Sequence, residues 1–273
     1  MKSSLTVSLV EEARGGPFVL WESLPTAIAK TARLGFDAIE IFPPSPDAIR
    51  EVPLKQLLAD HGLALAAVGT GAGWVKHRLS LADPDPAVRT RAVDFVRSII
   101  DVAAELGASA IIGSMQGRSG NGVSREASRD HLIDSLGRCA RAAAEQTPLL
   151  YEPLNRYETD QACTLADGAA LLGQLESGLP VRLLADLFHM GIEETDVAAA
   201  IRAHGDSIGH VHFVDSNRRP VGCGHTDFGP IVRALREVGY QGYLSAEAFP
   251  YPDSDAAAAQ TIRAHQYWVG ASA

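Results

Sequence analysis

Two hydrophobic periods alternate along this chain. Short runs rich in Val, Ile and Leu are each followed by a longer stretch in which apolar residues recur at helical spacing, and the cycle repeats to the C-terminus. Eight runs predict strands: Leu5 to Val10, Ala38 to Phe42, Leu63 to Val68, Ala110 to Gly113, Leu149 to Glu152, Arg182 to Asp186, His210 to Val214 and Tyr243 to Glu247. Strands that alternate with helices form a parallel sheet, and eight such units close it into a (β/α)8 TIM barrel of the α/β class.

The stretch after the third strand shows the helical half of the cycle. Asp85 caps, Pro86 fits the first turn, and Ala92, Val96, Ile99, Ile100 and Ala103 make one apolar stripe, with Arg97, Asp101 and Glu105 on the solvated face. Gly35, Gly62, Gly107 and Gly239 each stand between a helix and the next strand, where a left-handed residue ends the helix cheaply. The competing fold is an open doubly wound sheet, which would carry a G-x-G-x-x-G after its first strand; the chain has none there. At 273 residues and 46% hydrophobic content the chain suffices for one barrel core, and it is read as a single domain over residues 1–273.

Charge and cysteine narrow the chemistry. A formal net charge of −9 repels a phosphate backbone, so nucleic acid is not expected as a partner. The three cysteines, Cys139, Cys163 and Cys223, have no C-x-x-C spacing and suggest neither a disulfide framework nor a thiolate zinc site. No signal-like or membrane-spanning apolar run is seen, so a cytoplasmic protein with no membrane association is expected.

In a parallel barrel the catalytic face lies at the carboxyl ends of the strands, so the polar residue closing each apolar run matters most. Strand five ends in Glu152, strand six in Asp186, strand seven carries His210, His212 and Asp215, and strand eight ends in Glu247. Each has a plainer role on its own, as a helix cap or a hydrogen-bonded core histidine. Together they are harder to dismiss, because three carboxylates buried side by side need a cation or protons. Glu152, Asp186, His212 and Glu247 form an oxygen-rich set with one imidazole, suited to a divalent metal: Mn²⁺ first, with Mg²⁺ or Co²⁺ as alternatives. Such an ion would stabilise the enediolate formed when the proton beside a sugar carbonyl is removed. Glu152 and Glu247 are then the catalytic acid/base pair. Proton return to the same carbon epimerises it; return to the neighbouring carbon isomerises aldose and ketose. Residue types alone do not separate these outcomes.

The stretches Tyr151-Glu-Pro-Leu-Asn-Arg-Tyr-Glu158, Ala185-Asp-Leu-Phe-His-Met-Gly-Ile-Glu-Glu194 and His210-Val-His-Phe-Val-Asp-Ser-Asn-Arg-Arg219, with Gly222-Cys-Gly-His-Thr-Asp-Phe228, resemble the xylose-isomerase-like sugar isomerases and epimerases. Within that superfamily the resemblance is closest to ketose 3-epimerases of the D-tagatose 3-epimerase type. It covers essentially the whole chain and implies a metal held by Glu152, Asp186, His212 and Glu247. It also implies substrate contacts from His189, Arg218 and Glu158, and a homodimer or homotetramer.

Asp215-Ser-Asn-Arg218 with Gly222-x-Gly224 and Asp227-Phe228 is also similar to epimerases of keto-sugar acids such as 5-keto-L-gluconate, so the partner is a small sugar or sugar acid. A carboxylate-bearing substrate needs a further cation, for which Arg118 after strand four is a candidate by location. Hydroxypyruvate isomerases also resemble the chain, but that family has Gln where His212 stands. A sugar dehydratase, a metal-dependent phosphodiesterase and a non-catalytic sugar-binding barrel are the remaining alternatives. Three further positions stay open. The loop Gly69-Thr-Gly-Ala-Gly73 either cradles a phosphate or simply turns the chain, Trp74 either covers a sugar or packs its loop, and Glu40 points into the barrel or lines the pocket.

Overall fold

The first strand of the computed structural model, which describes residues 1–120 and 122–270, pairs in parallel with both the second and the eighth. That double pairing closes the sheet in the order β1 to β8: β1 Lys2–Ser8, β2 Ala38–Phe42, β3 Ala64–Gly69, β4 Ser109–Ile112, β5 Leu149–Tyr151, β6 Val181–Asp186, β7 Ile208–His212 and β8 Tyr243–Ala246. The helices that cover them are α1 Leu24–Arg33, α2 Leu54–His61, α3 Pro86–Glu105, α4 Arg125–Ala140, α5 Leu165–Leu172, α6 Val197–His204, α7 Phe228–Glu237 and α8 Ser254–Gly270. The TIM barrel expected from the alternation of periods is the fold observed.

Local signals act as read. Asp85 caps α3 by accepting a hydrogen bond from the Ala87 N–H at 2.8 Å, and the predicted apolar stripe of that helix is buried. Gly35, Gly62, Gly107 and Gly239 all have positive φ. Among the described residues the three cysteines are unpaired, and no helix is long and apolar enough to cross a membrane.

Two strands are displaced by two residues or more from their predicted positions. β1 begins three residues early and stops at Ser8, and β7 occupies Ile208–His212 instead of His210–Val214. The reason in β1 is that polar residues face the barrel interior. Ser4, Thr6 and Ser8 are buried, and the Thr6 hydroxyl donates to the Ala246 carbonyl at 2.7 Å, so an apolar run marks only part of the strand. In β5 and β8 the paired segment stops one residue short of the predicted end. Glu152 and Glu247 therefore stand just beyond the last strand residue, where the chain enters the mouth of the barrel.

Candidate active site

Alternation along β7 points His210 and His212 to the same side, the barrel interior, where both are almost fully buried. Around His212 Nδ1 the neighbouring strands bring Asp186 Oδ2 to 3.2 Å, Glu152 Oε1 to 3.3 Å and Glu247 Oε2 to 3.8 Å. One ligand atom from each of these four residues lies within 4.8 Å of the others, a geometry able to hold a metal ion. The chemistry of the cluster fits that use. Glu152 Oε1 is buried and makes no hydrogen bond. Burial, with the Glu247 and Asp186 carboxylates adding to it, pushes the Glu152 carboxyl up to about 8 against the pull of His212. A carboxylate held so far from its ordinary range, with an unsatisfied oxygen, is one that a cation would stabilise.

The other nitrogen of His212 is fixed from across the barrel. Glu40 is the one charged residue in the apolar run of β2, and its Oε1 and Oε2 receive His212 Nε2 at 3.2 Å and His210 Nε2 at 2.8 Å. Burial opposes ionisation of Glu40, but the two imidazoles hold its carboxyl well below the usual range. With Nε2–H donating to Glu40, Nδ1 is the nitrogen that faces the three carboxylates. Glu40, His210 and His212 also bring one ligand atom each within 4.8 Å of one another. Their hydrogen bonds already satisfy them, so the cluster reads as an orienting relay. Of the two positions open to Glu40 the structure realises both, since it points into the barrel and lines the floor of the cavity.

His189 follows Asp186, whose carboxylate Oδ1 caps the short helix Leu187–Glu193 by accepting from the Phe188 and His189 N–H groups at 2.7 and 3.2 Å. The backbone N–H of Asn155 donates to His189 Nδ1 at 3.2 Å, so that nitrogen is an acceptor and the proton resides on Nε2. Nε2 is buried and makes no hydrogen bond, with Asp186 Oδ2 3.9 Å away.

Arg218 has the left-handed φ of 57°, unusual for a residue with a side chain. The strain is held by a loop built on Asp215, whose carboxylate accepts the N–H groups of Ser216, Gly222, Gly224 and Thr226 at 2.8 to 3.1 Å. From that loop the Arg218 guanidinium pairs with Glu247, lies 3.5 Å from Glu158 and sits 4.9 Å over the Phe188 ring. The same loop explains the Gly222-x-Gly224 and Asp227-Phe228 wording. Gly224 has no room for a Cβ beside Asp215, Asp227 caps α7, and Phe228 stacks edge-on against Phe213. These residues shape the chain and do not by themselves mark a carboxylate-bearing substrate.

A cavity of about 280 Å³ opens over the cluster, lined by Glu152, Glu158, His189, His212, Arg218 and Glu247 and walled on the other side by Phe18, Phe42 and Leu154. Asp186 lies behind them, fully buried. Glu158 stands at the rim, its Oε1 accepting from Asn155 Nδ2 at 3.0 Å. Arg118 does not join the group. It is exposed, donates to the Tyr157 carbonyl at 3.4 Å, and lines a neighbouring cavity instead. The Gly69 to Gly73 loop has a packing explanation in place of a phosphate: a Cβ on Gly69 or Gly71 would stand 2.7 Å from the Phe42 ring, and one on Gly73 would meet Met115. The hold of Glu40 on the two histidines and the tether from Asn155 are not legible in the sequence, although a lone acid in an apolar strand is a signal for the first.

A family profile described as a xylose isomerase-like TIM barrel matches residues 28–268. The chain is 33% identical over 229 residues to an L-ribulose 3-epimerase of Methylomonas sp., covering 82% of this chain and 77% of that one. To an L-ribulose 3-epimerase of Mesorhizobium japonicum it is 34% identical over 233 residues, covering 83% and 75%. A D-allulose 3-epimerase from Methylomonas sp., solved in complex with D-allulose, superposes with a TM-score of 0.79 at 26% identity over 98% of both chains. The chain belongs to the xylose isomerase-like TIM-barrel family, on the side of its ketose epimerases, and is an isomerase-class enzyme.

Proposed function

We propose that this protein is a divalent-metal-dependent ketose 3-epimerase in which Glu152 and Glu247 exchange protons with the carbon beside the sugar carbonyl. The observation that carries the reading is the placement of these two carboxylates, from strands separated by β6 and β7, around the same imidazole nitrogen at 3.3 and 3.8 Å. Glu152, Asp186, His212 and Glu247 would hold the metal, and their mixture of carboxylates and one imidazole suits Mn²⁺, with Mg²⁺ or Co²⁺ as substitutes. When bound, the cation supplies Lewis-acid charge that makes the carbon beside the carbonyl acidic.

The residues of the chain do the rest. One glutamate, as carboxylate, takes the carbon-bound proton, and the electron pair moves onto the carbonyl oxygen to give an enediolate. The other glutamate, protonated, returns its own proton from the opposite face, so the stereocentre inverts and the two acids have traded protonation states. The Nε2–H of His189, which makes no hydrogen bond within the protein, and the Arg218 guanidinium are donors on residues lining this cavity, placed to take the oxygens on which charge develops. Glu158 accepts a hydroxyl at the far end of the sugar. The family relatives named for acting on L-ribulose and D-allulose support a free ketose of five or six carbons as the simplest substrate.

Proton NMR of L-ribulose, D-allulose and D-fructose in D₂O tests this. Deuterium uptake at carbon 3, lost with EDTA and restored by Mn²⁺, is the expected result. No exchange anywhere in the panel with metal present overturns the reading.

A further inference from the structure

Beside the catalytic cavity lies a second one of about 440 Å³ that shares Ser114, Leu154 and Glu158 with it. The first is small for a ligand site and matches one monosaccharide, whereas the two in line offer room for more. Glu158 stands at their junction, tethered by Asn155 at 3.0 Å and facing Arg218 at 3.5 Å. A sugar whose reacting end lies on the Glu152 and Glu247 side would thus direct its other end toward the second cavity.

The wall of this cavity combines a flat aromatic surface with polar groups. Trp74 lines it and leaves 39% of its surface exposed. The Arg78 guanidinium lies 5.3 Å from the centroid of that ring, and Arg78 has a left-handed φ of 53° at the end of the short helix Ala72–His77. The ring is therefore braced by a strained residue as well as by its helix. Close by, Gly73 brings the helix backbone so near Met115 that a Cβ would stand 2.5 Å from its sulfur, which fixes the helix against the barrel. Arg118, Asp83, Ser80 and Ser128 also line the cavity. A pyranose ring has an apolar C–H face and a rim of hydroxyls, and an aromatic platform ringed by charged and hydroxylic groups complements both.

We propose that this second cavity is a subsite for a further sugar unit, so that the enzyme binds ketoses glycosylated at the end remote from the reacting carbons more tightly than free ketoses. The proposal rests on the epimerase reading given above, since it takes the reacting end of the substrate to be fixed over Glu152 and Glu247. Trp74 supplies the stacking surface and Arg118 and Asp83 the polar contacts.

The test compares D-fructose with D-fructose bearing an α-glucosyl group on its C6 oxygen, following deuterium exchange at carbon 3 by proton NMR with Mn²⁺ present. A KM lower by about tenfold for the glucosylated ketose is expected, the equivalent of one good additional contact. Trp74→Ala should raise that KM by about tenfold while leaving the kinetics on D-fructose within about twofold, and Trp74→Phe should recover most of the loss. Unchanged turnover of D-fructose in the variant also shows that it is folded. Exchange on free ketoses without exchange on the glucosylated one overturns the subsite, as does a Trp74→Ala effect equal on both. A preference for a ketose with a carboxylate at its far end over the glucosylated one also overturns it, and assigns the cavity to sugar acids. Exchange on no ketose at all, glucosylated or free, overturns the epimerase reading and the subsite with it.

Discussion

The two halves of the barrel mouth are made of different materials. Strands β5 to β8 end in or just before Glu152, Asp186, His212 and Glu247, whereas β2 to β4 lead into Phe42, Gly69 with Gly71, and Gly113. One half supplies charge and the other supplies shape. The charged half depends on the other at two points. Gly113 adjoins the carboxylate of Glu152, and a Cβ there would collide with Glu152 Oε2. Glu40, the exception to the neutral half, reaches across to fix His212. A charged cluster in a barrel is thus only as well placed as the uncharged wall that leaves room for it.

The largest effect should come from the charged half alone. Glu152→Gln or Glu247→Gln keeps the shape and removes a proton carrier, and should slow exchange at carbon 3 by about 10² to 10⁴-fold with an unchanged circular dichroism spectrum. Near-normal exchange in either variant would dissolve the division of labour. The next tests the neutral half. Gly113→Ala adds one methyl group to a wall that carries no charge, and should lower kcat by about a hundredfold by displacing the Glu152 carboxylate. If kcat holds, the wall is more yielding than the geometry implies. The smallest falls on the bridge between the halves. Glu40→Gln should weaken metal affinity by roughly 10 to 100-fold, measured by calorimetric titration of the metal, because a neutral amide with one acceptor oxygen cannot hold both His210 and His212 as the carboxylate does. Unaltered affinity would make the two halves independent.

The fold was legible because its signals are local. The apolar runs, the Asp85 cap and the four helix-ending glycines each act within a few residues, and all recur in the structure. The displaced β1 shows where that logic ends. A strand whose inner face carries Ser4, Thr6 and Ser8 is defined by partners on neighbouring strands, among them the Ala246 carbonyl some 240 positions away in sequence. Arg118 shows the same limit at the site. It follows strand four, the location that makes it a candidate for a substrate carboxylate, yet it lines the second cavity and not the first.

By itself the sequence determined that eight strands and their helices form a parallel barrel, and that four of its strand ends carry metal-binding residue types. Both follow from periodicity and from the polarity of the residue that closes each run. Only the tertiary structure decided which atoms meet. Pairing between β2 and β3 slips between Ile39 and Ile41, at the position of Glu40, and between β6 and β7 it slips between Leu183 and Leu184. Such irregularities re-aim side chains by amounts that no local pattern encodes. They belong to the closure of the barrel, in which strand tilt and stagger must agree around the whole ring, and that agreement sets Glu40 against one nitrogen of His212 and the three carboxylates against the other.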